Sequence, residues 1–176
     1  MKLGISCCQH TYADSDENMG DYRTIEEKQA NVFASMLLMP QSLLPQKFGH
    51  VQSSFEQAEM LKQGFKVSLA AALRRMVRLS NWACAVVVTK DGHLQWSARS
   101  DEFDGWIAAQ PHPLSGASRL LESPEGSSLI DEVPEDMWLD SSYQRGASSE
   151  CVLREHSRRM RNGYVYTLLT QPCEDA

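Results

Sequence analysis

Several features that would narrow the function are missing from this sequence. Its apolar runs, such as residues 83–88, are far shorter than the roughly 20 residues that span a bilayer. Residues 1–17 turn polar without a sustained apolar core, so no export signal is apparent. No C-x-x-C pair occurs, and five cysteines are an awkward number for a disulfide framework. We therefore expect a cytoplasmic protein with reduced thiols and no membrane partner.

A surplus of basic charge is missing as well. The formal net charge of −6 opposes phosphate binding by the surface as a whole and leaves only a local basic patch for nucleic acid. No G-x-S-x-G elbow supports a serine nucleophile, although the partners of a Ser/His/Asp triad need only converge in space. The sequence does have 176 residues with 42% hydrophobic content, which is enough for one sizeable core.

The first half of the sequence predicts three helices. T-I-E-E at residues 24–27 is a capping box, a core-facing stripe follows it, and Pro40 ends the first helix. Ser54 and Ser68 are positioned to cap the second and third helices, and Gly64 to end the second. The predicted buried stripes are Ala30, Phe33, Ala34, Leu37 and Leu38; Phe55, Ala58 and Leu61; and Leu69, Ala72, Leu73, Met76 and Val77.

After Asn81 the pattern becomes that of β-strands. Residues 82–89 are rich in β-branched and aromatic side chains, Asp91-Gly92 is a two-residue turn, and residues 93–100 alternate in character. A second turn dipeptide, Asn162-Gly163, lies between two further strand-like segments. The sequence therefore predicts two β-hairpins.

The segment between the hairpins, residues 104–146, is interrupted repeatedly by proline and glycine. This composition predicts loops and short helices packed on a small antiparallel sheet. The predicted fold class is therefore α+β, with a helical region over residues 1–81 and an α+β region with two β-hairpins over residues 82–176.

Several motifs occur together in the order of a known family. They are E-x-x-A-N-x-F-A-x-x-L-L-M-P at residues 27–40, F-x-V-S-x-x-A-A-x-x-R at residues 65–75, and the later segments D-G-H-L, R-S-D-E-F-D-G-W-I and N-G-Y-V-Y-T-L-L. Together they resemble the ImmA/IrrE family of zinc metallopeptidases over most of the chain. The resemblance implies an upstream H-E-x-x-H helix whose two histidines hold zinc with a later glutamate, while its own glutamate activates water. Many members cleave a repressor.

The sequence departs from this family where the zinc chemistry should lie. Aligning residues 1–5, M-K-L-G-I, with H-E-L-G-H keeps Leu3 and Gly4 but replaces both histidines and the general base. A catalytic zinc requires three protein ligands, an open coordination site and a base. Glu27 alone remains at a family ligand position. The resemblance thus implies an N-terminally shortened, degenerate zincin-like region that is catalytically inactive and needs no cofactor.

A substitute metal site with Glu27 has two further candidate ligands, Cys7 and His10. Their i and i+3 positions would share one face of a helix. Against this, the vicinal cysteines Cys7 and Cys8 would seldom both ligate a tetrahedral ion, and no second cluster is present. We expect buried thiols and a capping role for Glu27, with a truncated zinc metallopeptidase that cleaves a repressor as the alternative function.

Basic residues are concentrated in the predicted second and third helices, which together resemble a helix-turn-helix. Residues 60–90 contain basic residues and no acidic ones. Arg74, Arg75 and Arg78 would contact phosphates there, or form the solvated face of an amphipathic helix. A DNA-binding regulator is therefore the second alternative function.

The opposite charge is concentrated in residues 122–140. Asp131, Glu132, Glu135 and Asp136 lie close in sequence to Trp138, and acidic side chains around an aromatic anchor suit a basic groove of a protein, even one that normally holds nucleic acid. An ordinary solvated loop is the alternative interpretation.

The function expected from the sequence is non-catalytic. We expect an ImmA/IrrE-like protein that binds a protein partner, either as a regulator or as an antagonist of a nucleic-acid-binding assembly such as one of host defence. Because family members are often encoded on phages and other mobile elements, we expect such an origin here.

Overall fold

The computed structural model of this protein describes residues 25–44, 53–140 and 152–172. In this part of the chain three helices precede a five-stranded antiparallel sheet, so the predicted α+β fold is confirmed. The α-helices are α1 (Ile25–Leu38), α2 (Phe55–Phe65), α3 (Leu69–Arg78) and the short α4 (Gly116–Arg119). The strands are β1 (Cys84–Lys90), β2 (His93–Arg99), β3 (Ser128–Pro134), β4 (Val152–Arg159) and β5 (Tyr164–Thr170). Short 3-10 turns cover Gln41–Leu43, Leu120–Glu122 and Glu135–Met137.

Serine side chains begin α2 and α3, as predicted. The Ser54 hydroxyl accepts a hydrogen bond from the Gln57 amide at 3.3 Å, and the Ser68 hydroxyl accepts one from the Ala71 amide at 3.1 Å. Each bond satisfies an amide that has no partner within its own helix. The apolar stripes predicted for both helices are buried.

The ends of the first two helices differ in how well the sequence predicts them. Helix α1 ends at Leu38, ahead of Pro40, as predicted. Helix α2 does not end at Gly64 but continues to Phe65, and Lys66 then takes the left-handed conformation with φ of 56°. A glycine costs a helix only about 1 kcal/mol. The Phe65 side chain packs against the core and favours the extra residue.

Both predicted hairpins are present. Asp91-Gly92 joins β1 to β2 and Asn162-Gly163 joins β4 to β5, with positive φ at all four residues. This is the requirement of the type I′ turn, which matches the twist of the flanking strands. The two turns also lie together, since the Asp91 amide donates to the Gly163 carbonyl at 3.0 Å.

Strand β3 was not predicted. It lies in the segment expected to contain only loops and short helices, and it forms the edge of a sheet with the order β2-β1-β5-β4-β3. Its sequence, S-L-I-D-E-V-P, carries two acidic residues and a proline, and Val133 is its one buried residue. Such residues are poor strand formers but are common on edge strands, where they discourage further pairing.

Among the described residues, two apolar cores lie on opposite faces of the sheet. The first core packs α2 and α3 against β1, β2 and β5, and it contains Phe55, Leu73, Met76, Val86, Val88 and Leu168. The second core packs α4 and its flanking loops on the other face, and it contains Phe103, Leu120, Val133, Trp138, Leu153 and Leu169. The first core therefore joins the helical region and the sheet.

None of the helices in the described ranges combines the length and the apolar character needed to cross a bilayer.

Candidate partner-binding surface

Helix α1 carries large apolar side chains that face solvent. Phe33 and Leu37 are 68% and 67% exposed, and Leu43 in the following 3-10 turn is 68% exposed. The prediction of a buried stripe on α1 is therefore wrong: Ala30, Phe33, Ala34, Leu37 and Leu38 are all exposed. The physical reason is that α1 makes no extensive contact with any other described element. We call the exposed set the α1 surface: Val32, Phe33, Met36, Leu37, Leu38 and Leu43.

The C-terminal end of α1 is attached to the body of the protein. Met39 is fully buried, and its carbonyl accepts a hydrogen bond from Arg75 Nε at 3.2 Å. Leu44 packs against the first core. These contacts fix the position from which α1 extends, so the α1 surface is presented from an anchored end.

The arginines predicted to contact DNA make contacts within the protein. Arg75 is buried against Met39, and the Arg74 guanidinium lies 4.4 Å from the centre of the Trp96 ring. Arg78, in the last turn, is half-buried. No residue of α3 is exposed, because the helix packs on β1 and β2. A recognition helix needs one free face for the groove, and this arrangement weighs against α3 in that role.

Trp138 is not a surface anchor. It is 1% exposed, and its Nε1–H donates a hydrogen bond to Glu155 Oε2 at 3.0 Å within the second core. The interpretation of Trp138 as a partner-binding residue is therefore corrected. The indole ring lies in the core although its neighbours in sequence are acidic. Its burial requires a hydrogen-bond partner only for the N–H group, and Glu155 provides one.

The four acidic residues named with Trp138 lie at the surface or near it. Asp131, on β3, pairs with Arg119 at 2.8 Å, and Glu135 accepts a hydrogen bond from Gln171 Nε2 at 3.4 Å. Glu132 and Asp136 are exposed. They follow the free edge of the sheet and the turn after it. Their role in partner binding stays a prediction.

A cavity of about 220 Å³ opens on the sheet where β3, β4 and β5 lie side by side. It is lined by Glu132, Val152, Arg154, Thr170 and Pro172.

Glu155 is a buried carboxylate that belongs to none of the sequence motifs described above. It is 1% exposed, and besides Trp138 its donors are the Ala117 amide at 3.1 Å and the Ser157 hydroxyl at 2.6 Å. A side chain on Gly116 would place its Cβ 2.5 Å from Glu155 Oε1, so only glycine permits this approach. One sequence pattern indicates this burial. Side chains two positions apart in a strand point to the same face, so Glu155 shares the inward face of Leu153. The network holds α4 and the Trp138 loop on the sheet.

A serine and a histidine meet where α2 rests on the sheet. Ser128 Oγ and His156 Nε2 are 2.9 Å apart, and the Phe55 ring meets the imidazole edge-on with centroids 4.7 Å apart. Arg158 lies at the same junction, with its guanidinium 4.6 Å from the Phe55 ring centre. Burial lowers the pKa of His156, and the charge of Arg158 adds to this effect.

The candidate metal ligands Cys7, His10 and Glu27 come from the N-terminal part of the sequence. Cys7 and His10 lie outside the described residues. The backbone of Glu27 lies in the first turn of α1, but its side chain is not among those described. Thr24, the first residue of the predicted capping box, lies outside the described residues. Within residues 25–44, 53–140 and 152–172, no three side chains of the His, Cys, Asp and Glu type gather closely enough to hold a metal ion. Of the five cysteines, Cys84 is described, as a buried free thiol.

These observations define an α+β protein whose described region begins with an exposed apolar helix that is anchored at its C-terminal end. A comparison with protein families identifies the segment that contains this helix. The IrrE N-terminal-like domain of the peptidase M78 family matches residues 5–77. The ImmA/IrrE assignment made from the sequence is confirmed by this match, which covers α1, α2 and nearly all of α3. The later motifs, from Asp91 onward, lie outside it. A search of curated proteins found no match.

Proposed function

We propose that this protein is a catalytically inactive ImmA/IrrE-like protein that acts by binding a protein partner through the α1 surface. The observation that carries the proposal is the exposure of Phe33, Leu37 and their apolar neighbours on a helix of the family's own domain. Soluble proteins seldom leave so many large apolar side chains together in water unless they bind something there.

The donor atoms at the family's zinc positions support the absence of catalysis. Zinc in hydrolytic sites is held by imidazole, carboxylate or thiolate groups. In the alignment with H-E-L-G-H, Met1 and Ile5 replace the histidines and Lys2 replaces the general base. A thioether, an alkyl group and an ammonium group do not fit this zinc site, so we derive no hydrolytic step for the chain.

The family resemblance suggests two kinds of partner. It implies that many members cleave a repressor, so a regulator descended from such repressors is one candidate partner. The other candidate is a nucleic-acid-binding assembly, for example one of host defence, which the protein would antagonise; the exposed Glu132 and Asp136 suit a basic groove. Both candidates agree with an origin on a phage or other mobile element.

Affinity capture with matched variants tests the proposal. The tagged wild-type chain, a Phe33→Glu/Leu37→Glu variant and a Met60→Glu variant are each used to capture proteins from the native cell or its host. Met60, on α2, is 69% exposed and lies outside the α1 surface, so it controls for adding charge to an exposed apolar position. We expect a discrete partner with the wild type and Met60→Glu, and its loss with the α1 variant.

A partner retained equally by all three chains would show that binding uses another surface. Recovery of no discrete partner with the wild type, across the plausible hosts, would contradict the proposal itself.

A further inference from the structure

One part of the sheet lies beside the first core without being covered by its helices. Antiparallel pairing sets Glu132 of β3 opposite Arg154 of β4, and Arg154 opposite Thr170 of β5. Directly paired residues point to the same side of a sheet. Thr170 also shares the side of Leu168, two positions away, which belongs to the first core. On this side Ile130, Glu132 and Arg154 are exposed, so the three paired residues form an open row across β3, β4 and β5.

Two side chains of this row carry opposite charges that are not joined to each other. Glu132 and Arg154 are directly paired, and residues in that position have Cβ atoms only about 4.5–5.5 Å apart. Even so, the Glu132 carboxylate and the Arg154 guanidinium form no hydrogen bond or ion pair with any residue in the described ranges. The row therefore offers an unpaired acceptor and an unpaired set of donors to a ligand that carries both charges.

The cavity of about 220 Å³ restricts the size of that ligand. Glu132, Arg154 and Thr170 line it together with Val152 and Pro172. Sites for drug-sized molecules have volumes of roughly 300–1,000 Å³, so this cavity is too small for a nucleotide. A water takes about 30 Å³ in the liquid, and on that scale the cavity holds a molecule of about seven to ten non-hydrogen atoms.

We propose that this cavity binds a free α-amino acid with an aliphatic side chain, with its carboxylate on Arg154 and its ammonium group on Glu132. One carbon atom separates the two charges of an α-amino acid, so side chains from directly paired residues reach both. Val152 and Pro172 supply apolar walls for the aliphatic side chain. A ligand whose charges are all of one sign would meet a like charge in the same cavity. The site is independent of the partner binding proposed for the α1 surface.

Titration of isotope-labelled protein with L-leucine, followed by nuclear magnetic resonance, tests the proposal. We expect the amide signals of Glu132, Arg154 and Thr170 to shift with a dissociation constant on the order of 1 mM, because the ligand has few atoms. Isocaproate and isoamylamine have the same aliphatic group but carry one charge each. Each should bind about tenfold more weakly than leucine or worse, since one of the two charge-assisted contacts is lost.

Variants of the two charged residues show whether leucine uses them. Arg154→Gln and Glu132→Gln each remove one charge from the cavity and keep a polar side chain. We expect each to raise the dissociation constant for leucine by about tenfold or more. Arg161→Gln and Asp136→Asn, at exposed positions that do not line the cavity, are the matched controls and should bind leucine as the wild type does. The dispersion of the amide signals verifies that each variant is folded.

No shift of the three amide signals up to the solubility limit of leucine would overturn the proposal, as would shifts confined to other parts of the protein. Equal affinities of the wild type and Arg154→Gln, or of the wild type and Glu132→Gln, would also contradict it. Binding of isocaproate or isoamylamine as tight as that of leucine would assign the cavity to a ligand with a single charge and exclude the amino acid.

Discussion

Glu155 places a carboxylate inside the second core, where its oxygens are satisfied by hydrogen bonds. Trp138, Ala117 and Ser157 each donate to it, and the Ser157 hydroxyl also lies 2.7 Å from the Thr167 hydroxyl. Removing the acceptor would leave buried donors without a partner, and each such donor costs about 1–3 kcal/mol. A single residue thus connects α4, the Trp138 loop and two strands.

We predict that Glu155→Ala lowers the free energy of unfolding by about 3 kcal/mol or more. Urea denaturation followed by tryptophan fluorescence measures the change. Glu132→Ala, which removes an exposed carboxylate from the neighbouring strand, serves as the control and should change stability by less than about 0.5 kcal/mol. Equal effects of the two substitutions would show that the network contributes little.

Arg159, on the same strand as Glu155, has buried polar atoms that are not satisfied in this way. Its Nε and Nη1 atoms are buried and find no hydrogen-bond partner among the described residues. Replacing this partly buried guanidinium by an apolar group of similar length removes the cost of desolvating its two buried nitrogens. We predict that Arg159→Met raises the free energy of unfolding by about 1 kcal/mol. Arg161→Met, at a side chain that is 90% exposed, should be nearly neutral; a loss of stability on Arg159→Met would contradict the prediction.

His156 makes the junction of α2 with the sheet sensitive to pH. Its pKa is lowered from the ordinary value of 6.5 by burial and then by Arg158, with a smaller contribution in the same direction from Arg154; Glu56 on α2 opposes them. The unfolded chain therefore binds a proton more readily than the folded protein between the folded pKa and 6.5. Stability from this group is complete above about 6.5 and is lost as the pH falls through that range.

We predict that the urea midpoint of the wild type falls between pH 7.5 and pH 5.5 and that His156→Gln removes part of this fall. His93→Gln, at an exposed histidine, should keep the wild-type dependence. Identical pH profiles for the wild type and His156→Gln would exclude the junction as the source.

At the scale of the elements, α1 and α3 are both apolar helices but contribute differently. Leu73 of α3 is fully buried between α2 and the sheet, whereas Phe33 of α1 is mostly exposed. We predict that Leu73→Ala costs about 3 kcal/mol in the free energy of unfolding, and that Phe33→Glu/Leu37→Glu costs less than about 1 kcal/mol when both are measured on dilute protein by urea denaturation. A large loss on the α1 variant would mean that α1 belongs to the core, as its sequence pattern indicates.

The elements that the sequence predicts well are those with local signals. Ser54 and Ser68 cap helices whatever surrounds them, and Asp91-Gly92 and Asn162-Gly163 favour one turn type. The failures depend on tertiary contacts. Strand β3 exists because β4 pairs with it, and α1 is exposed because no described element covers it. Sequence periodicity reports which face is apolar, not whether something packs there.

The candidate site was predicted less well than the fold, for the same reason. Trp138 and its acidic neighbours are adjacent in sequence, but the fold turns the indole inward to Glu155 and leaves Glu132 and Asp136 outside. The contact of Arg75 with Met39 joins residues 36 positions apart, which no local pattern indicates. The family resemblance, in contrast, depends on residue identities, and the match over residues 5–77 confirms it.

At the scale of the whole molecule, the family segment and the sheet share one core. The match ends at residue 77, yet α2 and α3 bury their apolar stripes against β1, β2 and β5, which lie beyond it. The sheet therefore serves as the platform that holds the family's helices. We propose that this platform presents α1 for binding and does not support zinc hydrolysis.

Metal analysis of the purified chain tests that claim most directly. The wild type and Glu27→Ala are purified with zinc supplied, dialysed, and their zinc content is measured by plasma mass spectrometry. Three protein ligands are needed for a hydrolytic zinc, and the positions of Met1 and Ile5 provide none. We expect both chains to retain the same low, substoichiometric amount of zinc. Stoichiometric zinc in the wild type that is lost in Glu27→Ala would contradict this proposal and favour the alternative, a zinc metallopeptidase.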